Sequence, residues 1–315
     1  MALNMTLTQP GKLQMFSTTE LVRMPPPEWL VDGIMPESGV IGLYGAPSTG
    51  KSFVAVDLAC SIGAGRAWQG HTVKQGLVVY ISAEGGAGIG KRVLAWAAEN
   101  NVSPALIDVA WIIEAIPISA SHEDMQYLFD RIEEIREQPV LVIIDTLARC
   151  FEGDENLQED MGAFIKGVDL IRRELDTSVL IIHHTRLDGD RERGNTAFRG
   201  AADTMIQVKR QRGTDKLALF CDKQKDDEEF KPLQLRLEKR EEENSCVIRG
   251  VAVPSALTEF VTVLRANGMQ AGESYSVADL QAMSGEPSST FFRKLRAARD
   301  EGVLDKRNGK YVLRA

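Results

Sequence analysis

Cysteine is scarce in this sequence. Four occur in 315 residues, Cys60, Cys150, Cys221 and Cys246, and none forms a C-x-x-C pair. Such scatter excludes a disulfide scaffold and a thiolate zinc site, and reads as reduced, mostly buried thiols in a cytosolic protein. The four histidines show no zinc spacing either. No apolar run is long enough to span a bilayer. The N-terminus, M-A-L-N-M-T-L-T-Q-P, lacks the basic and then apolar pattern of a signal peptide. Positive charge is in deficit, with 37 Lys and Arg against 45 Asp and Glu and a net charge of −8. That balance excludes a protein that binds nucleic acid over its whole surface; any such contact is local. Repeats and low-complexity tracts are also absent, and Glu241–Glu243 reads as a solvated acidic turn. The length suits one good-sized core plus a small second domain.

What is present is organised around Val40–Phe53, V-I-G-L-Y-G-A-P-S-T-G-K-S-F. The apolar run Val40–Tyr44 predicts a buried strand, and an amphipathic pattern opening at Lys51 predicts a helix. Between them Gly45, Ala46, Pro47, Ser48, Thr49, Gly50, Lys51, Ser52 and Phe53 carry the G-x-x-x-x-G-K-S phosphate loop. Backbone N–H groups must converge on an anion there, and glycines permit the dihedrals. The helix N-terminus adds partial positive charge. Lys51 supplies a cation for the β- and γ-phosphates, and the Ser52 hydroxyl is placed to ligate Mg²⁺. A plain glycine-rich turn would leave the Lys-Ser pair after Gly50 without a reason.

Strand and helix patterns then alternate. Helices are expected over Lys51–Gly63, Gly88–Asn100 (Val93, Leu94 and Ala97 on one face), His122–Glu137 (Tyr127, Leu128, Ile132 and Ile135 inward) and Met161–Leu175. Strands are expected over Gly76–Ser82, Val109–Ile113, Val140–Ile144 and Val179–His183. Continuous apolar strands between helices imply a parallel sheet covered on both faces, an α/β fold. After Asp203 four short strands, Met205–Lys209, Leu217–Cys221, Leu233–Lys239 and Val247–Val253, suggest antiparallel additions at the end of the sheet. Residues 1–35, broken by Pro25-Pro26-Pro27, read as an arm over another surface such as a neighbouring subunit. A disordered tail up to Thr18 is the alternative.

A boundary is expected near Pro254, dividing the chain into an arm or linker (1–35), a nucleotide domain (36–250) and a small domain (251–315). In the last, Ala256–Ala266 carries the stripe Leu257, Phe260, Val261 and Leu264. Ser276–Asp279 has capping-box logic, and Ser288–Glu301 is a third helix. Two short strands flank Arg307-Asn308-Gly309, a hairpin turn. Three helices followed by a hairpin is a winged helix-turn-helix layout. Phe291, Leu295 and Ala298 face its core. Arg293, Lys294, Arg296 and Arg299 lie elsewhere on the third helix, with Lys306, Arg307 and Lys310 at the hairpin. A basic helix with a basic wing fits duplex DNA; the alternative is a protein-contact module whose charge keeps it soluble.

Three further groups bear chemistry. In P-V-L-V-I-I-D-T, Asp145 ends a wholly apolar strand, where it would hold Mg²⁺ or else cap the next segment. In Y-I-S-A-E-G-G, Glu84 follows another strand and is the candidate base that orients water, the alternative being a loop or N-cap acid. In I-I-H-H-T-R, His184 ends the next strand and could touch the γ-phosphate, while His183 points into the core.

Together these motifs resemble the RecA-like ATPases. P-P-P-E-W-L, Y-G-A-P-S-T-G-K-S-F, Y-I-S-A-E-G-G, I-I-D-T-L-A-R, I-I-H-H-T and F-R-G-A-A-D-T are similar to the hexameric helicase RepA family of plasmids and phages, itself related to DnaB-type motors. The resemblance covers roughly residues 16–240. It implies a RecA-like α/β core with a mostly parallel central sheet, ATP and Mg²⁺ as cofactors, and a hexamer that binds DNA. It makes Glu84 the catalytic base, Asp145 the metal acid and His184 the γ-phosphate sensor. It also implies cations donated by a neighbouring subunit: Arg199, or Lys223 and Lys225, with Arg193 as a second arginine. Lys225 stands where DnaB-type motors often have Arg, which forgoes bidentate phosphate contact. The alternative for all four is a solvated basic loop.

In RecA-like rings two loops line the channel. The one over Arg186–Arg199 carries Arg186, Arg191 and Arg193, which could track a single-stranded phosphate backbone. The other, Cys150–Asp160, is acidic and repels DNA; it packs on a neighbour or orders around a cation. The expected function is an ATP-hydrolysing DNA motor, a replicative helicase of a mobile element. The alternatives are an ATP-switched DNA-binding initiator or regulator, and a filament-forming recombinase or helicase loader.

Overall fold

The computed structural model describes residues 15–24, 28–84, 86–155, 157–184, 197–251, 256–270, 272–300, 303–307 and 309–313. The chain divides into two compact units, Met1–Val251 and Ala252–Ala315.

Unit 1 begins with a one-turn helix, α1 (Thr18–Leu21), and a two-stranded hairpin of β1 (Trp29–Val31) and β2 (Met35–Pro36). Then follow β3 (Val40–Gly45), α2 (Lys51–Gly63), β4 (Val78–Ser82), α3 (Ile89–Asn100), β5 (Val109–Ile112), α4 (His122–Glu133), β6 (Leu141–Asp145), α5 (Leu147–Cys150), α6 (Gln158–Glu174), β7 (Ser178–His184) and α7 (Ala197–Ala201). Four strands close the unit: β8 (Thr204–Arg210), β9 (Lys216–Gln224), β10 (Leu233–Arg240) and β11 (Ser245–Gly250). One nine-stranded sheet takes the order β11-β10-β9-β8-β3-β7-β6-β4-β5. From β8 to β5 every pairing is parallel; from β8 to β11 every pairing is antiparallel. This is the α/β core with a mostly parallel central sheet that the motifs imply.

Strand composition explains the layering. Successive side chains of a strand point to opposite faces. Ile41 and Leu43 of β3, Tyr80 of β4, Leu141 and Ile143 of β6, and Leu180 and Ile182 of β7 share one core with α2 and α3. Val40 and Tyr44, Val79 and Ile81, Val142 and Ile144, and Val179 and Ile181 share the other with α4, α5 and α6. Both faces are covered, so β3, β4 and β6 are buried throughout. β5, at the sheet edge, is only half-buried.

Several expectations are corrected. Residues 29–35 belong to the core rather than to an arm, because Leu30, Val31, Ile34 and Met35 are fully buried and Val31 bridges to Val73. β8 is parallel to β3, so the antiparallel additions start at β9. On α3, Leu94 is exposed and Trp96 is buried; on α4, Tyr127 is exposed, and Met125 and Phe129 pack inward, while the helix stops at Glu133 and Ile135 lies exposed in the turn beyond it. None of the described helices is long and apolar enough to cross a membrane.

Unit 2 contains α8 (Ala256–Ala266), β12 (Ser274–Tyr275), α9 (Val277–Ser284), α10 (Ser288–Asp300), β13 (Leu304–Arg307) and β14 (Lys310–Leu313). The strands pair in the order β12-β14-β13, adding a strand that periodicity had not marked. Ser276 and Asp279 form the expected capping box, and Gly285 ends α9 in the left-handed conformation at φ 64°. Phe260, Leu264, Leu280, Phe291, Leu295 and Leu313 build the core.

Behind the phosphate loop, α2 buries a carboxyl. Asp57 Oδ2 accepts from Trp68 Nε1 at 2.8 Å and from Gln69 Nε2 at 3.0 Å. Burial outweighs these bonds and raises its pKa from 3.8 to about 7. The folded-state value exceeds the unfolded one. The stability linked to this group is therefore full below the unfolded pKa and is lost as pH rises through about 7. The Asp57→Asn protein should show a melting temperature that falls less than the parent's between about pH 5 and about pH 9. Thermal unfolding followed by circular dichroism checks this, and parallel curves would contradict it.

Candidate active site

Gly45 ends β3 beside β8, where a Cβ would lie 2.4 Å from the Val208 carbonyl oxygen, so only glycine fits. The loop turns back over itself, with Thr49 Oγ1 donating to the Ala46 carbonyl at 2.9 Å. Gly50 adopts φ 99°, open to glycine, and hands the chain to α2. Pro47 and Ser48 are exposed at the loop tip. Phe53 turns away, its ring lying 4.4 Å beneath the Arg92 guanidinium carbon of α3.

Lys51 is 4 % exposed. Its ammonium donates to the carbonyls of Gly45 and Ala46, both at 2.9 Å, and lies 3.1 Å from His184 Nδ1. An ammonium only donates, so Nδ1 is the acceptor and the imidazole proton sits on Nε2. Nε2 faces Glu84 Oε1 at 3.6 Å. The same Glu84 oxygen accepts from Thr146 Oγ1 at 2.9 Å. Four side chains thus form one line: Lys51, His184, Glu84 and Thr146.

Sheet register brings them together. Gly45 pairs with His184 across β3 and β7, and Ser82 pairs with Asp145 across β4 and β6. Asp145 is buried, and its Oδ2 accepts from Tyr80 Oη at 2.7 Å. Burial raises its pKa, opposed by hydrogen bonds from Tyr80 and Ser52. Its Oδ1 is buried without a hydrogen-bond partner. A hard oxygen with open lone pairs beside the Ser52 hydroxyl fits a divalent cation such as Mg²⁺. His184 has a lowered pKa, first from burial and then from the Lys51 charge, and so stays neutral.

The remaining expected residues fall into three groups. Arg199 is ion-paired with Asp222, whose Oδ2 also accepts from Tyr44 Oη at 2.6 Å. Lys223 Nζ donates to the carbonyls of Arg199 (2.9 Å), Gly200 (3.1 Å) and Ala202, capping the C-terminus of α7. Lys225 pairs with Asp203 at 3.3 Å. All three are held within their own subunit. Arg186, Arg191 and Arg193 lie outside the described residues. In unit 2, Arg293, Arg296 and Lys306 are exposed, the last with its ammonium 5.8 Å from the Tyr311 ring centre, and Arg307 ends β13. Lys294 is instead bound to Glu286, which commits its charge inside the unit. Of the acidic loop, Asp160 Oδ2 accepts from the Asp154 amide at 2.8 Å. Among the described residues no acidic cluster is assembled to hold a cation there.

Tyr80, Thr146 and Arg92 were not anticipated. Tyr80 steadies Asp145, Thr146 steadies Glu84, and Arg92 acts electrostatically on Asp145. Tyr80 and Thr146 depend on strand register and Arg92 on the packing of α3, and none of the three carries a motif. A separate cleft of about 380 Å³, lined in part by Trp29, Arg172, Asp203 and Lys225, lies at the opposite, N-terminal ends of β3 and β8.

A model of the AAA domain family matches residues 10–190. Among solved structures, the crystal structure of the RadB recombinase is similar over 67 % of this chain and 90 % of that one, at 13 % identity and a TM-score of 0.48. No curated protein matches the chain.

Burial lowers the Lys51 pKa from 10.5 to about 8, partly offset by Asp145 and Glu84. A phosphate partner raises it again, because the charged form is then favoured. Binding of an ATP analogue should therefore take up protons, and affinity should fall as pH rises through about 8. Calorimetry in buffers of different ionisation enthalpy measures this; pH-independent affinity across that window would contradict it.

Proposed function

The chain belongs to the AAA domain family, and on that premise we propose that it is an ATP-hydrolysing DNA motor, a ring-forming replicative helicase of the plasmid and phage RepA type. The observation that carries the reading is the line from the phosphate-loop ammonium through His184 to Glu84, beside the buried Asp145. The loop amides and Lys51 bind the β- and γ-phosphates of ATP. Glu84, oriented by Thr146, accepts a proton from the attacking water. Ser52 and Asp145 would hold Mg²⁺, which when bound would neutralise charge on the phosphate oxygens. His184 exchanges its Lys51 contact for the γ-phosphate and passes the change to the loop that follows β7.

Arg199, Lys223 and Lys225 sit together where α7 meets β9. In a hexamer this corner of one subunit serves the next subunit's site, supplying charge to the transition state. Arg186, Arg191 and Arg193 track single-stranded DNA in the channel. Unit 2 is taken as a winged helix with duplex contacts through Arg293, Arg296, Lys306 and Arg307. On this reading the protein is taken to act in the cytosol.

A second reading is an ATP-switched, duplex-binding initiator, regulator or helicase loader. It is favoured by the basic α10 of a separately folded unit.

Lys51→Ala should abolish nucleotide binding, and Glu84→Gln should bind ATP without turnover. Near-normal turnover by Glu84→Gln would remove Glu84 from the base role. Displacement of a labelled strand from a forked duplex, lost in Lys51→Ala, supports the motor. ATP-dependent duplex binding without displacement supports the switch. A hydrogen bond to a charged group contributes about 1.5 kcal/mol or more, so Thr146→Val should lower kcat about tenfold or more, with KM little changed. Thr146→Ser should restore most of it. Equal loss in both variants would deny Thr146 a positioning role.

A further inference from the structure

One exposed side chain on α10 is not explained by phosphate contact. Phe291 is fully buried in the core of unit 2, whereas its neighbour Phe292 is 51 % exposed, the two ring centres 5.2 Å apart in edge contact. Helical spacing places Ser288 and Arg296 one turn to either side of Phe292, with Arg293 adjacent. All three are exposed. Lys294, on the flank nearer the core, is tied to Glu286. The outward face of α10 thus carries an aromatic ring with a guanidinium group one turn on and another adjacent.

A single exposed ring is ordinary on a protein surface; this one gains weight from the two exposed arginines beside it. A protein groove that took Phe292 would have to accommodate two exposed arginines beside it. Local charge separates the options. Residues 252–315 hold nine Lys and Arg against seven Asp and Glu, in a chain whose net charge is −8. This unit carries a small basic excess while the rest of the chain is acidic overall, which favours a polyanionic partner. A duplex major groove admits one helix, and among base edges it displays one apolar group, the thymine methyl.

We propose that Phe292 is a base-reading residue: α10 enters the major groove of duplex DNA, Arg293 and Arg296 bind phosphate or guanine edges, and the Phe292 ring packs on a thymine methyl. The proposal rests on the reading of unit 2 as a duplex-binding winged helix and adds a sequence preference to it. The arginines contribute salt-dependent affinity for any duplex. Phe292 contributes a term that is independent of salt and present only where thymine is met.

The test uses the full-length protein and duplexes that it selects from a randomised pool. Affinity is measured for the selected duplex and for the same duplex with uracil at each thymine in turn, which removes only the methyl. The wild type should lose about fourfold at the contacted position, what burying one methyl-sized group is worth. Phe292→Ala should bind the selected duplex as weakly as the wild type binds its uracil form, be indifferent to the replacement, and keep the wild-type salt slope. Phe292→Leu, still apolar, should retain part of the methyl effect, which separates reading from misfolding. Arg293→Ala with Arg296→Ala should weaken all duplexes and flatten the salt slope. A wild type indifferent to uracil, or a Phe292→Ala protein with the full thymine effect, overturns the proposal. Absence of duplex binding by the wild type, or an unchanged salt slope in the double-arginine variant, overturns the underlying reading of unit 2 and the proposal with it.

Discussion

A nearly buried ammonium is the constraint on which unit 1 depends. Lys51 sits at 4 % exposure, where an unpaired cation would be expelled or neutralised. Two loop carbonyls and one imidazole nitrogen accept its protons, and the carboxylates of Asp145 and Glu84 oppose the desolvation. Those groups come from four strands or their ends, β3, β7, β6 and β4. They meet only because Gly45 aligns with His184 and Ser82 with Asp145. A one-residue slip in either pairing would reverse which face each side chain addresses, and the cation would lose its acceptors.

The same alignment explains why the central strands are so uniformly apolar. Each must fill two cores at once, so alternate residues of β3, β4, β6 and β7 go to opposite helical layers. Polar chemistry is therefore displaced to the strand ends, where the apolar run stops. At the far side of β3, the α7–β9 corner ties itself to the phosphate-loop strand through Asp222, which binds both Tyr44 and Arg199.

Legibility in the sequence followed from this division. Continuous apolar runs marked β3, β4, β6 and β7 closely, and Lys51–Gly63 emerged with both ends as read, because glycine and the phosphate loop delimit it. Glu84, Asp145 and His184 were visible because each breaks an apolar run. Thr146, Tyr80 and Arg92 were not, since their partners lie on other strands and helices, at separations up to 65 residues for Tyr80 and Asp145. Leu94 and Tyr127 look inward by type but sit on the wet side of amphipathic helices, where Trp96, Met125 and Phe129 take the core positions, and Ile135 lies past the end of α4. The triple proline disguises residues 29–35 as part of an arm, although Leu30 and Val31 are core. Lys294 read as one more basic residue of α10 until Glu286, eight residues earlier, was seen to hold it.

The most direct measurement is a crystal structure with a non-hydrolysable ATP analogue and Mg²⁺. The account predicts a γ-phosphate oxygen within hydrogen-bonding distance of both the Lys51 ammonium and the His184 ring. It also predicts the Glu84 carboxylate one water away from the phosphorus. A triphosphate seated on the loop with Glu84 and His184 beyond the reach of a bridging water would contradict it.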